Sequence, residues 1–130
     1  MTTQLDPEVR RHLDAANTAH LATVLPDGAP HTVPVWVGTH GDHVVFLTGP
    51  RSRKARNLQR DPRVAISLAP AEDPFTPVIV RGRVVEWLDG DAAWEIIDAL
   101  AMKYLGQPYP RDEERVVALI APETQRVGIG

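Results

Sequence analysis

Apolar and polar residues alternate in several short runs of this chain and recur at helical spacing in others. Runs rich in β-branched and apolar residues at 20–25, 32–37, 43–48, 64–68, 78–88 and 115–120 predict six strands. Only the turn Pro26-Asp27-Gly28 and the segment 38–42 separate the first three, so we expect these to follow one another as hairpins. Successive hairpins indicate an antiparallel sheet, and about six strands can close into a small barrel.

Prolines and a glycine modify three of these strands. Pro34 cannot donate to a strand ladder, so 32–37 is predicted to lie at a sheet edge or to contain a bulge. Gly82 inside the long run 78–88 predicts a bulge or bend. Pro122 interrupts the pattern after 115–120, and we expect the last strand to resume at 126–129.

Helical spacing and capping residues predict three helices. Asp6 and Pro7 are typical of a first N-cap and first helical turn. A basic second helix follows Gly49-Pro50, and a third runs from about 91 to 105 with an apolar stripe. The stripe consists of Trp94, Ile97, Ala101 and Tyr104. The predicted fold class is therefore mainly β, an α+β protein with three helices flanking an antiparallel barrel.

Composition narrows the classes of function. The chain has 130 residues and no cysteine, so we expect one domain over 1–130 and exclude disulfides, thiolate nucleophiles and cysteine-ligated zinc. No apolar run reaches membrane-spanning length, and the polar N-terminus lacks a signal-peptide core. These features predict a cytoplasmic protein without a membrane partner.

Basic residues are concentrated in one short segment. Residues 51–63 contain six basic side chains and one acidic one, whereas the whole chain has a net charge of −3. A nucleic-acid-binding protein usually has a broad basic face, so a small anionic ligand suits this compact patch better. Cations and free backbone N–H groups at a strand-to-helix turn favour a phosphate. On the local sequence alone, a solvated basic helix face is an equally good interpretation.

Other familiar catalytic patterns are missing from the sequence. His20, His31, His40 and His43 have no helical partner and no accompanying acidic cluster, so we predict no metal site. A nucleophile-elbow motif is also missing. We therefore expect no dedicated catalytic side chain.

Three segments between residues 19 and 88 resemble a known family. They are the hairpin 21–36, the run 46–65 with Ser52-Arg53-Lys54 and Asp61-Pro62-Arg63, and the strand 80–86. In order and spacing they are similar to the pyridoxamine-phosphate-oxidase-like split β-barrel superfamily of flavin and deazaflavin binders. This resemblance implies a six-stranded Greek-key split barrel. It also implies a homodimer with two cofactors in the clefts between its subunits.

The resemblance also implies which residues bind the cofactor. The strand Val33, Pro34, Val35 and Trp36 would lie along the cofactor ring. The phosphate-binding positions of the family correspond to Thr48, Ser52, Arg53 and Lys54, and Asn57 occupies a position close to the cofactor. Helical spacing places Arg53, Lys54 and Asn57 within one turn, so their side chains are expected to converge.

Departures from the pattern of true pyridoxamine phosphate oxidases indicate to which branch of the superfamily the chain is most similar. The strand at 32–36 and the C-terminus lack the basic residues of true pyridoxamine phosphate oxidases. The chain resembles more closely the branch that uses coenzyme F420, a deazaflavin with an acidic oligoglutamate tail. We therefore predict an F420-dependent oxidoreductase that transfers a hydride to an unsaturated or carbonyl-containing small molecule. The alternatives are an FMN-dependent oxidoreductase of the same fold, or a non-catalytic protein that binds a cofactor or tetrapyrrole.

Overall fold

The computed structural model describes residues 3–129, which form seven strands and three helices. The strands are β1 Ala19–Val24, β2 Pro30–Val35, β3 Gly38–His40, β4 His43–Thr48, β5 Arg63–Leu68, β6 Val78–Leu88 and β7 Val116–Val127. The helices are α1 Pro7–Asp14, α2 Arg53–Arg60 and α3 Gly90–Leu105. This is the predicted mainly antiparallel α+β fold with three flanking helices.

All seven strands belong to one antiparallel sheet, in the order β2-β1-β5-β6-β7-β4-β3. The sheet curls around one apolar core, to which six strands, α1 and α2 contribute buried side chains. Phe46, Leu21 and Ile120 are among its largest fully buried members. The curled sheet confirms the predicted split barrel.

The seventh strand is β3, which lies in a segment predicted to be a turn. The connection between β3 and β4 is only two residues long, and Gly41 at its first position has a φ of 61°. Glycine at that position suits a tight hairpin turn, so residues 38–40 are left free to pair with 43–45. The prediction of six strands was therefore one too few.

The predicted irregularities of the strands are present, with one difference. Pro34 lies on β2, an edge strand of the sheet, and the pairing of β6 with β7 shifts register at Gly82. The predicted break at Pro122 is wrong, because β7 continues through it. Pro122 pairs with Gly82 at the register shift, where the ladder is already irregular and a missing N–H group is tolerated.

Helix α2 begins two residues later than the start of the basic run. Ser52 is its N-cap, and the Ser52 hydroxyl accepts a hydrogen bond of 3.2 Å from the backbone N–H of Ala55. Ala55 and Leu58 of this helix are buried against the barrel. Arg51 and Ser52 thus belong to the loop between β4 and α2.

Helix α3 covers the outer face of β4 and β7. Ile97 is fully buried in a second apolar cluster with Val45, Val117 and Leu119. No helix within residues 3–129 is both long and apolar enough to cross a lipid bilayer.

Candidate functional site

Two adjoining clefts lie where β2, β4 and α2 approach the segment that connects α3 to β7. The basic cleft has a volume of about 630 Å³ and is lined by Thr48, Arg51, Ser52, Lys54, Glu113 and Arg115, among others. The aromatic cleft has a volume of about 350 Å³ and is lined mainly by Pro34, Val35, Trp36, Leu47, Lys54 and Tyr109. Leu47, Lys54 and Tyr109 line both clefts, so a ligand in one can extend into the other.

A third cleft of about 490 Å³ lies between α3 and the hairpin of β3 and β4. Its lining includes Leu88, Ile96, Leu100 and Lys103, and it shares no residue with the other two clefts. None of the residues that the sequence predicted for the cofactor lines it.

The hydroxyl groups of Thr48 and Ser52 form the floor of the basic cleft. Their oxygens are 2.7 Å apart and share one hydrogen bond, while Ser52 also caps α2. Thr48 is buried and ends β4, whereas Ser52 is partly exposed. The pair therefore fixes the turn between strand and helix at the start of α2.

Lys54 carries a positive charge that no side chain of residues 3–129 neutralises. It is partly buried and makes neither a hydrogen bond nor an ion pair there. Burial lowers the pKa of the Lys54 ammonium, and the nearby charge of Arg115 lowers it further. An anion in the cleft would oppose both effects on the pKa, because an opposite charge favours the protonated form.

The other predicted residues of α2 do not face the clefts with Lys54. Arg53 is exposed and lines neither cleft. Asn57 is fully buried, and its side-chain nitrogen donates a hydrogen bond of 2.9 Å to the Thr23 hydroxyl. Lys54 is thus the one member of the three that the structure places at the site.

The predicted strand 33–36 borders the aromatic cleft along three of its four residues. Pro34 and Trp36 are accessible there, and Val35 is 8% exposed. Val33 instead packs against the barrel core. This strand therefore offers the cleft one aromatic ring and two apolar side chains.

An aromatic cluster extends from Trp36 across the cleft. The Trp36 ring stacks on Tyr104 at a centroid distance of 5.2 Å and meets the edge of Tyr109 at 6.0 Å. Trp94 packs beside Tyr109 at 6.2 Å, and the Arg111 guanidinium lies 4.3 Å above the Trp94 ring. A flat cofactor or substrate could pack against this cluster.

An ion pair holds Tyr109 in place. Arg111 donates two hydrogen bonds of 2.7 Å to the Asp98 carboxylate, which also accepts one of 3.2 Å from the Tyr109 backbone N–H. The hydrogen bonds from Arg111 lower the pKa of Asp98. This arrangement folds the segment after α3 back onto the helix and directs Tyr109 into the clefts.

Sequence reasoning missed Tyr109 and Arg115. Both come from the segment before β7, far in sequence from the basic run, and the pairing of β4 with β7 places Thr48 opposite Val116. Pairing the last predicted strand with the third would have placed Arg115 next to Thr48. No group of three or more metal-binding side chains was found among residues 3–129.

Comparison with known proteins gives a consistent family. The family model of pyridoxamine 5'-phosphate oxidase matches residues 5–127. An F420 reductase of known structure is 26% identical, with a TM-score of 0.81, and the match covers 94% of this chain and 98% of that protein. No curated protein sequence matches the chain.

Two further structures share the fold. A conserved hypothetical protein from Mycobacterium tuberculosis is 26% identical with a TM-score of 0.76, over 98% of this chain and 86% of its own. A putative 5-nitroimidazole antibiotic resistance protein from Bacteroides thetaiotaomicron is 15% identical with a TM-score of 0.75. This match covers 98% of this chain and 85% of that protein. The second likeness concerns the fold alone.

Proposed function

Because the chain belongs to the pyridoxamine 5'-phosphate oxidase family, we propose that it is an oxidoreductase that binds coenzyme F420 in the basic and aromatic clefts. The observation that carries the proposal is the uncompensated charge of Lys54 in a basic cleft that opens directly into an aromatic one. A cofactor with a phosphate and a flat ring needs both environments within reach of each other. The similarity to an F420 reductase supports the choice of deazaflavin.

The basic cleft would hold the phosphate. Lys54 supplies a charge, the Ser52 and Thr48 hydroxyls supply polar contacts, and α2 begins beside the cleft, where a helix start favours an anion. Asn57 is buried beneath α2, so we assign it to holding the helix against β1 through Thr23. Asn57 would therefore contribute to binding indirectly, by keeping α2 and with it Lys54 in position.

The aromatic cleft would hold the ring. Trp36 and Tyr109 offer flat surfaces, while Pro34 and Val35 offer apolar contact, and Val33 supports the strand from the core. Bound F420 would supply a hydride to an unsaturated or carbonyl-containing small molecule. The task of these side chains is to align the two reactants and to exclude water, which lowers the barrier without an acid or base.

Exposed arginines suit the acidic tail of F420. Arg51, Arg53 and Arg56 are exposed and make no ion pair within the described part of the chain. Arg51 lines the basic cleft, and Arg53 and Arg56 follow it in the first half of α2. Salt screens such exposed charges, so binding through them depends strongly on ionic strength.

We also propose that the protein is a homodimer whose partner subunit completes the site. Several large apolar side chains are more than half exposed, and a partner subunit would remove part of this apolar area from water. They are Phe75 at 80%, Val85 at 57%, Met102 at 53%, Leu105 at 52% and Ile129 at 76%. A monomer in light scattering at micromolar concentration, with cofactor still bound, would contradict the dimer.

Fluorescence titration with F420 and FMN at low and moderate salt tests the function. We expect F420 to bind more tightly, and its affinity to fall more steeply with salt than that of FMN, which lacks the acidic tail. Lys54→Met should weaken binding of both cofactors about tenfold or more, since a charge-assisted contact contributes about 1.5–3 kcal/mol. The matched control is Arg83→Met. Arg83 lies on β6 and forms an exposed ion pair with Glu123 of β7, so this variant also removes one positive charge, but outside the clefts.

Each contrary result has a distinct meaning. If FMN binds more tightly than F420 at moderate salt, the cofactor of the protein would be FMN and not F420. Tight binding of either cofactor without turnover on any acceptor would indicate a cofactor carrier. Equal affinities of wild type and Lys54→Met would contradict the phosphate site itself.

A further inference from the structure

Arg115 reaches the mouth of the basic cleft from the far end of the chain. It immediately precedes β7, and its Nη1 atom lies 3.7 Å from where a Cβ on Gly49 would be. Its side chain is 19% exposed, so the guanidinium is largely covered. Arg115 therefore faces the loop that begins α2, opposite Lys54 across the same cleft.

Three neighbours orient the guanidinium. Its Nε donates to the Tyr109 hydroxyl at 3.3 Å, and its Nη1 donates to the Glu114 carbonyl at 2.9 Å. Nη1 also contacts the Glu113 carboxylate at 3.2 Å. Tyr109 and the backbone thus hold Arg115 in place, while Glu113 is its only anionic partner within residues 3–129.

The Glu113 carboxylate is a weakly held counter-ion. Its side chain is 69% exposed, and exposed ion pairs contribute little because water and salt screen them. Lys54, in contrast, has no counter-ion among the described side chains and is destabilised by the charge of Arg115. Lys54 and Arg115 therefore line one cleft, and Glu113 is the one carboxylate of residues 3–129 that contacts either of them.

We propose that Arg115 is a second cationic ligand of the anion bound in the basic cleft, and that this anion displaces Glu113 from Arg115. The inference rests on the proposed function only in taking that anion to be the cofactor phosphate. A guanidinium can present two parallel N–H groups to a phosphate, which a lysine cannot do. Glu113 then competes with the ligand and limits its affinity.

The test compares two neighbouring carboxylates. Glu113→Gln and Glu114→Gln each remove one negative charge from the lining of the basic cleft, but only the Glu113 side chain contacts Arg115. Inorganic phosphate, and then FMN and F420, are titrated into the full chain, with affinity followed by backbone NMR shifts or cofactor fluorescence. We expect Glu113→Gln to tighten binding about threefold relative to Glu114→Gln.

Removing the Arg115 guanidinium completes a double-mutant cycle between Glu113 and Arg115. Arg115→Gln should weaken phosphate and cofactor binding about tenfold, and the difference between the two glutamate variants should vanish in that background. Equal effects of Glu113→Gln and Glu114→Gln in the wild-type background would overturn the exchange. Both are exposed substitutions, so this comparison does not depend on whether Arg115→Gln folds.

The outcomes separate this inference from the proposed function. If the wild type binds phosphate but neither F420 nor FMN, and the variants change phosphate affinity as expected, the role of Arg115 as an anion ligand is supported and the proposed cofactor is refuted. If the wild type and folded Arg115→Gln bind F420 with the same affinity, Arg115 is not a ligand of the anion, whereas the proposed cofactor stands. An absence of binding to all three probes would refute both.

Discussion

The rings of Trp36 and Tyr104 stack almost in parallel, with centroids 5.2 Å apart and planes that differ by 4°. Trp36 follows β2 and Tyr104 lies in the last turn of α3, so the stack joins the helix to the sheet edge at the aromatic cleft. The Tyr104 hydroxyl donates to the Asn17 carbonyl at 2.6 Å and accepts from the Val37 N–H at 3.2 Å. One phenol therefore fixes the tryptophan that we assign to the cofactor ring.

Tyr104→Phe is expected to destabilise the fold while keeping the stack. The substitution leaves the Asn17 carbonyl and the Val37 N–H without their partner, and an unsatisfied buried polar group costs about 1–3 kcal/mol. Urea unfolding measures the change. Tyr109→Phe is the control, because within residues 3–129 its hydroxyl makes one hydrogen bond, with Arg115, and a smaller loss is expected. An equal or larger loss in the control would contradict this role of Tyr104.

Trp36→Leu is expected to change cofactor affinity and reaction rate in a graded way. Trp36 would act by positioning the ring, so its loss removes contact area but no acid or base. His31→Ala and His43→Ala should leave the rate largely unchanged, because neither histidine lines the two clefts. Single-turnover oxidation of bound reduced cofactor measures all three variants. A loss of about a thousandfold from either histidine substitution, with affinity retained, would reveal a general acid.

Local sequence determines the parts of the site that lie close together in the chain. Turn residues predicted the hairpins, and a strand followed by Ser52 and Lys54 predicted the basic cleft, because caps and turns act over a few residues. Tyr109 and Arg115 depend instead on the pairing of β4 with β7, which no local pattern encodes. That pairing joins strands far apart in sequence and is a tertiary property of the sheet.

Orientation of α2 shows a second limit. Helical spacing put Arg53, Lys54 and Asn57 within one turn and predicted that their side chains converge, but only Lys54 lines the clefts, so this prediction was wrong for Arg53 and Asn57. Burial of Ala55 and Leu58 rotates Asn57 into the core and Arg53 into solvent. Packing of the apolar residues therefore selected Lys54 for the cleft.

Gly82→Ala is expected to destabilise the barrel severely. A Cβ at this position would lie 2.1 Å from the backbone carbonyl oxygen of Ala121, where β6 and β7 shift register. Backbone must move to relieve such a contact, so we expect a loss of about 3 kcal/mol or more. Thermal unfolding tests this against Gly49→Ala, whose new Cβ would have its nearest neighbour at 3.7 Å. Similar melting temperatures for the two variants would show that the strands adjust freely.

Lys103 is expected to make stability depend on pH in the alkaline range. Its ammonium donates to the carbonyls of Leu13 and Val37 beneath α3. Burial lowers its pKa from 10.5 to about 8, although the charge of Asp14 opposes the shift. Between these two values the unfolded chain binds more protons than the folded one. The contribution of Lys103 to the free energy of unfolding therefore rises as pH increases through this window.

Comparison with Lys103→Met isolates this contribution, because methionine does not titrate and other groups change equally in both proteins. Urea unfolding at about pH 7 and about pH 10 should show the wild type gaining stability relative to the variant as pH rises. Lys103→Arg provides the opposite control, since a guanidinium stays protonated throughout and should track the methionine variant in its pH dependence. Parallel curves for wild type and both variants would mean that the Lys103 ammonium is solvated in the folded protein, and a relative loss of wild-type stability would mean that an anion holds its pKa high.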